Sequence, residues 1–130
     1  MKINDDESLK LLNDPRFSVA LDLFNKGDWY LAHDAFEELW HEISGPERKT
    51  IQGILQVAVA QVHLESENKK GATILYGEGL GRLKTIGIPD LGLDLVKFCI
   101  CVEKRLKILQ CDGDPNTCSL PVLSQKSLSK

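Results

Sequence analysis

The sequence has no excess of basic residues. Its 16 Lys and Arg residues are outnumbered by 19 Asp and Glu residues, which gives a formal net charge of −3 at pH 7. A protein that holds phosphate backbones or anionic lipid headgroups needs a positive field on its surface. We therefore expect neither nucleic acid nor a membrane among the partners of this chain.

The sequence also lacks an apolar run that could cross a bilayer. Its most apolar stretch, residues 51–64, is shorter than the roughly 20 residues that a spanning helix needs. Four polar side chains interrupt it, namely Gln52, Gln56, Gln61 and His63. The opening MKINDDESLK is polar and acidic and lacks the basic-then-apolar order of a secretory signal. These features lead us to expect a cytoplasmic protein.

Cysteine is present, but not in the spacing of a metal site. Cys99, Cys101, Cys111 and Cys118 all lie in the last third of the chain, and their spacing matches no zinc finger or zinc ribbon. A disulfide between Cys111 and Cys118 is conceivable only in an oxidising compartment. We expect reduced thiols, and the sequence assigns them no role.

Apolar residues recur at helical spacing, and no segment shows the strict alternation of a half-buried strand. Proline, glycine and capping residues divide the chain into predicted helices at about 15–25, 29–43, 46–66, 68–86 and 91–109. We predict one domain over residues 1–111, followed by a loosely ordered tail over residues 112–130.

The predicted helix 46–66 is apolar nearly all round, which is typical of a central helix. A weak repeat places Ala32 and Phe36 in the same pattern as Ala72 and Tyr76, forty residues later. This pattern resembles the helical hairpins of tetratricopeptide-type arrays. We predict an all-α antiparallel bundle of four to five helices, built from two hairpins with tetratricopeptide-like local packing.

Polar side chains on two neighbouring predicted helices form the candidate site. His33 and Glu37 are one turn apart, beside Trp40, at the edge of an apolar stripe. Three polar residues of the next helix share one narrow sector of its surface. Because buried amides and imidazoles need hydrogen-bond partners, we expect these two rows of polar side chains, which we call the polar files, to face each other. The predicted pocket consists of His33, Glu37, Trp40, Gln52, Gln56 and His63.

Several interpretations of this pocket remain open. It can be a hydrogen-bond network that fixes the register of the helices. It can hold a divalent metal, with His33, Glu37 and His63 as ligands, since imidazole and carboxylate suit zinc, iron or manganese. It can act without metal, with Glu37 as base and His63 as acid. Finally, the polar files of the two helices can fail to meet. Asp34 is expected on the other side of its helix, away from the pocket.

The run GDWYLAHDAFEELW, residues 27–40, resembles the signature of the domain of unknown function 309 family. The resemblance continues through residues 51–60, His63 and residues 68–72, and covers about residues 15–86. It implies a compact all-α domain without an established activity. Asp34 stands where the family usually has Glu, which weakens any role for that position. The characteristic positions of the family fall on His33, Glu37, Trp40, Gln52, Gly53 and His63.

Two functional hypotheses follow. The first is a non-enzymatic helical binding or interaction module, whose partner is another protein or a second copy of the chain; it predicts an exposed apolar patch outside the pocket. The alternative is a metal-dependent or acid–base enzyme, hydrolase-like, that uses His33, Glu37 and His63. It predicts that these three side chains converge on a solvent-reachable cavity. A divalent metal is the one cofactor that the residues suggest.

Overall fold

A computed structural model of the protein describes residues 3–126, with side chains described over residues 7–126. Within this range the chain is helical and contains no β-strand, so the predicted all-α fold is confirmed. The six α-helices are α1 (Ile3–Leu12), α2 (Pro15–Asn25), α3 (Trp29–Glu42), α4 (Glu47–Glu65), α5 (Lys69–Leu83) and α6 (Leu95–Gln110). A short 3₁₀ helix, Pro115–Thr117, follows.

The helix boundaries follow from local capping chemistry. Asp14 accepts a hydrogen bond from the backbone N–H of Arg16 at the start of α2, and Asn68 accepts one from Gly71 at the start of α5. α6 begins four residues later than the sequence predicts. Leu91 and Gly92 adopt positive φ angles of 57° and 76°, which form a turn instead of a helical start.

The helix α4 is the centre of the bundle, as its composition predicts. It packs against α3 on one side and against α5 on the other. At its crossing with α5, a Cβ atom placed on Gly79 would lie 2.8 Å from the carbonyl oxygen of Gly53. Glycine at both positions therefore allows the two backbones to approach this closely. None of the helices in the described range, α4 included, combines the length and apolarity of a membrane span.

An aromatic cluster joins the first helices to the last. The Phe24 ring lies edge-on to Trp29 at a centroid distance of 4.9 Å and contacts Phe98 of α6 at 5.7 Å. Because α6 returns to α2 in this way, the helices share one core. Tetratricopeptide-like packing of the two hairpins stays a prediction.

The helix α1 is an element that the sequence does not predict. It is anchored by Leu11, which is buried, and by the Ser8 hydroxyl, which donates to Oε2 of the fully buried Glu47 at 2.6 Å. The other oxygen of Glu47 has no hydrogen-bond partner in the described residues. The helix α1 thus precedes the five helices, α2 to α6, that the sequence predicts.

The C-terminal segment, residues 115–126, differs from the loosely ordered tail that the sequence predicts. The Asn25 side chain donates to the carbonyl of Leu123 at 2.9 Å and accepts from its N–H at 2.8 Å. Gln125 then pairs with Leu93 in an antiparallel bridge. Fixed at these points, the segment runs back along α6 after its 3₁₀ helix. Residues 127–130 of the predicted tail lie outside the described residues.

Candidate functional site

His33 lies between two carboxylates on α3. Its Nδ1 is 3.3 Å from Oδ1 of Asp34, and its Nε2 is 3.9 Å from Oε1 of Glu37. Ligand atoms of the three residues all lie within 4.8 Å of one another, and no other His, Cys, Asp or Glu group in the described range meets this condition. We call these residues the α3 cluster. The expectation that Asp34 points away is wrong, because its carboxylate reaches back to the adjacent imidazole.

His63 does not join the α3 cluster. Its Nδ1 is 3.2 Å from the side-chain nitrogen of Asn68, and a Cβ atom on Gly71 would lie 3.0 Å from its ring. His63 thus faces the start of α5, on the far side of α4 from α3. The predicted site of His33, Glu37 and His63 is not formed.

Gln56 also turns towards α5. Its Nε2 donates to Glu78 at 3.1 Å, and its Oε1 accepts from Arg82 at 3.2 Å. Gln56 and His63 follow Gly53 by three and ten residues, which places all three on one face of a helix. Since Gly53 forms the close crossing with α5, this face meets α5, and the polar files of α3 and α4 do not face each other. Gln52 is half-buried nearby.

Trp40 contributes to the α3–α4 turn. The Arg48 guanidinium lies 3.7 Å from the centre of its ring, within the range of a cation–π interaction. The indole Nε1 is buried and has no hydrogen-bond partner in the part of the chain that the structure describes. Trp40 therefore fixes the turn between two helices, and nothing links it to His63.

The main buried polar network, which sequence reasoning missed, is centred on Arg105. This side chain is fully buried. Its Nε donates to the Tyr76 hydroxyl at 2.8 Å, and that hydroxyl donates to Gln61. Its Nη1 donates to the carbonyls of Pro115, Cys118 and Ser119 at 3.1, 3.3 and 3.0 Å. The guanidinium therefore ties the C-terminal segment to α6.

Charge and titration at this network follow from burial. Burial raises the pKa of Tyr76, against the opposing effect of its hydrogen bond from Arg105. In the described residues Nη2 of Arg105 has no acceptor, and no carboxylate lies within ion-pair distance of the guanidinium. A signal for this burial does exist in the sequence. Position 105 lies between Val102 and Leu109 on the apolar face of α6.

An open groove of about 660 Å³ separates α6 from the C-terminal segment. We call it the C-terminal groove. One wall carries Ile100, Cys101 and two lysines, and the other carries Leu120, Val122 and three hydroxyl side chains. Among the described residues, no acidic one lines it. Four apolar side chains on and beside it are exposed: Val96, Ile100, Leu120 and Val122. The exposed apolar patch that the binding hypothesis predicts is thus present, away from the α3 cluster.

The four cysteines are free thiols, and the conceivable Cys111–Cys118 disulfide is not formed. Cys101 and Cys118 both line the C-terminal groove. Burial raises the pKa of the Cys99 and Cys101 thiols. Thiols with raised pKa stay protonated at neutral pH and are poor nucleophiles. Cys101, on the α6 wall of the groove, is therefore a poor nucleophile.

Comparison with known proteins agrees with the sequence motif. Residues 17–75 match the model of the family described as domain of unknown function (DUF309). The match covers just under half of the chain and includes the α3 cluster and His63, but ends before α6 and the C-terminal groove. No curated protein matches the chain. The resemblance is thereby confirmed: residues 17–75 are similar to the DUF309 family.

Proposed function

We propose that this protein is a non-enzymatic binding module that holds an apolar segment of a partner protein in the C-terminal groove. One observation carries the proposal: apolar side chains from both walls of the groove are exposed together, with Ile100 on α6 opposite Val122 on the C-terminal segment. Contiguous exposed apolar surface of this kind is typical of protein interaction sites.

The dimensions of the groove support a peptide-like occupant. The α6 residues that line it run from Lys97 to Lys104, which corresponds to about 10 Å along a helix. The C-terminal segment lines the other side from Thr117 to Ser124, so the groove is an open cleft between two stretches of chain. A continuous stretch of chain fits such a shape better than a compact small molecule does. Full burial of one aliphatic side chain contributes roughly 1.5–3 kcal/mol, so a single anchor at Ile100 changes affinity by about tenfold or more.

The chemistry of the lining argues for binding over catalysis. Within the described range, the residues that line the C-terminal groove include no histidine and no carboxylate, which are the usual groups for proton transfer. We retain from the sequence the expectation of a cytoplasmic protein whose partner is a protein and not nucleic acid.

The test is a peptide-display selection on the immobilised protein, with two matched variants. Ile100→Ser removes the groove anchor, whereas Leu31→Ser removes an equally exposed side chain on α3; the exposures are 55% and 56%. Selected peptides should carry clustered apolar residues. They should bind the wild type and Leu31→Ser equally, and bind Ile100→Ser at least tenfold more weakly.

Equal binding to Ile100→Ser, or no enrichment at all, would overturn the proposal. Sedimentation velocity across a concentration series tests whether the occupant is instead a second copy of the chain. A dimer that forms in the wild type and is lost in Ile100→Ser would show that the groove holds a second copy of the chain, and a partner protein would then be excluded as its main occupant.

A second candidate function rests on the α3 cluster. One imidazole and two carboxylates within 4.8 Å of one another suit a divalent metal such as zinc or manganese, as a hydrolase-like enzyme would require. The cluster is accessible, because Asp34 and Glu37 are 57% and 45% exposed. The observed ligand set contains Asp34 in place of His63.

Calorimetric titration with Zn²⁺ tests this candidate. His33→Ala should weaken Zn²⁺ binding at least tenfold, and His63→Ala should leave it unchanged, because His63 lies beside α5. Equal loss of Zn²⁺ binding in both variants would favour the ligand set that the sequence suggests, with His63 as a ligand. Failure of the wild type to bind Zn²⁺ or Mn²⁺ would remove the metal-dependent function.

A further inference from the structure

The end of the chain carries a charge opposite to that of the rest. Residues 95–130 contain six Lys and Arg residues and three Asp and Glu residues, a net charge of +3. Residues 1–94 contain ten basic and sixteen acidic residues, a net charge of −6. The overall charge of −3 thus conceals a basic region, and the C-terminal groove lies within it.

Two lysines flank the apolar centre of the groove. Lys97 and Lys104 are on the α6 wall, on either side of Ile100. They are seven residues apart, which corresponds to about 10 Å along a helix. Both are exposed, and neither forms an ion pair within the part of the chain that the structure describes. The nearby carboxylate of Glu103 pairs instead with Lys84 on α5.

Arg105 adds positive charge behind the same wall. Its hydrogen bonds go to a hydroxyl and to three carbonyls of the C-terminal segment, so they satisfy most of its N–H groups without cancelling its charge. Its Nη2 has no acceptor among the described residues. A charge in a poorly polarisable interior is screened less than one in water. The potential in the groove is therefore more positive than two surface lysines alone produce.

We propose that the segment held in the C-terminal groove is acidic as well as apolar: it places carboxylates near Lys97 and Lys104 and apolar side chains over Ile100 and Val122. This inference rests on the proposed binding function and adds the charge of the partner. An anionic bilayer offers the same charge. However, a flat surface reaches only the rim of a groove, whereas a protein segment can lie within it.

Three synthetic amphipathic peptides provide the probe. They share the same leucine positions and differ only in their flanking residues, which are Glu, Gln or Lys. Fluorescence anisotropy should give a Kd for the Glu peptide at least tenfold lower than that for the Gln peptide at low salt, with the Lys peptide weakest. The difference should largely vanish near 1 M salt, where the screening length falls to about 3 Å.

Charge-reversal variants supply the control. Lys97→Glu combined with Lys104→Glu should reverse the order of the peptides. Lys10→Glu combined with Lys49→Glu makes the same change of charge on α1 and α4, outside the groove lining, and should preserve the order. If both double variants act alike, the preference reflects net charge and the inference fails.

The remaining outcomes separate this inference from the binding function itself. If the Glu and Gln peptides bind equally and both are lost in Ile100→Ser, the charge preference fails while the binding function stands. If none of the three binds and the display selection also fails, both are overturned. If phosphatidylserine vesicles bind through Lys97 and Lys104 and the peptides do not, the occupant is a membrane and the inference is wrong.

Discussion

The α3 cluster and the Arg105 network use charge in opposite ways. In the α3 cluster, within the matched residues 17–75, the carboxylates of Asp34 and Glu37 are substantially exposed to solvent. In the C-terminal part, Arg105 is fully buried, whereas Ile100 and Val122 are exposed. The recognisable motif and the candidate binding surface are therefore different places in the molecule. Residues 17–75 contribute much of the core, and the part of the chain after them contributes the groove.

The largest effect is expected at Arg105. Replacing Arg105 by Ala leaves the Tyr76 hydroxyl and three backbone carbonyls without their donor. Because unpaired buried polar groups cost about 1–3 kcal/mol each, the free energy of unfolding should fall by about 3 kcal/mol or more. Urea denaturation followed by circular dichroism measures this change.

Lys107→Ala is the control for Arg105→Ala, because Lys107 is exposed on the same helix and its loss should change stability by less than about 0.5 kcal/mol. Amide hydrogen exchange should also accelerate in residues 115–123 of Arg105→Ala. A stability loss near that of the control would show that the guanidinium does not hold the C-terminal segment.

The next effect compares two glycines of α5. In Gly79→Ala the new Cβ would meet the Gly53 carbonyl at 2.8 Å, and the forced separation of the helices should cost about 1–3 kcal/mol. In Gly77→Ala no atom lies within 4 Å, so the gain in helix propensity should stabilise the protein by about 0.5–1 kcal/mol. Thermal unfolding should give Tm shifts of opposite sign, and shifts of the same sign would contradict the close crossing.

A smaller effect is expected at Asn25. Asn25→Ala removes both hydrogen bonds to Leu123, which together contribute about 1–3 kcal/mol. The local consequence should exceed the global one, because the C-terminal segment loses an anchor while the helices remain packed. Hydrogen exchange at residues 121–125 should accelerate more than exchange in α4. Uniform acceleration throughout the chain would mean that the segment and the bundle unfold together.

The smallest effect concerns Asp90, whose pKa is lowered chiefly by its hydrogen bond from Lys126. A depressed folded-state pKa contributes stability at pH values above the unfolded value of 3.8, and this contribution is lost as the pH falls through the folded value. In Lys126→Ala the pKa of Asp90 should rise towards 3.8, as an NMR titration can measure. An unchanged pKa would show that the pair is not formed in solution.

The helices were predictable because their signals are local. Asp14 and Pro15 mark the start of α2 and Asn68 marks the start of α5, each within a few residues of the boundary. The helix α1 was missed because its acidic sequence has no clear apolar stripe. The position of the C-terminal segment depends on Asn25 and Leu123, which are 98 residues apart, and no local pattern reports such a contact.

The candidate site was predictable only within one helix. The proximity of His33 and Glu37 follows from their spacing on α3, whereas the placement of His63 depends on which face of α4 meets each neighbour. That choice is made by the tight crossing at Gly53 and Gly79. Arg105 was missed because charged residues on helices are usually solvated, and only its place between apolar positions 102 and 109 indicates burial.

The hydrogen bonds of Arg105 have a consequence for how this protein can diversify. Its Nη1 donates to the main-chain carbonyls at positions 115, 118 and 119 and does not depend on the side chains there. Substitutions at Thr117, Cys118 or Ser119 can therefore change the lining of the groove while the C-terminal segment keeps its position. The attachment of the C-terminal segment thus depends on its main chain, whereas the lining of the groove depends on its side chains.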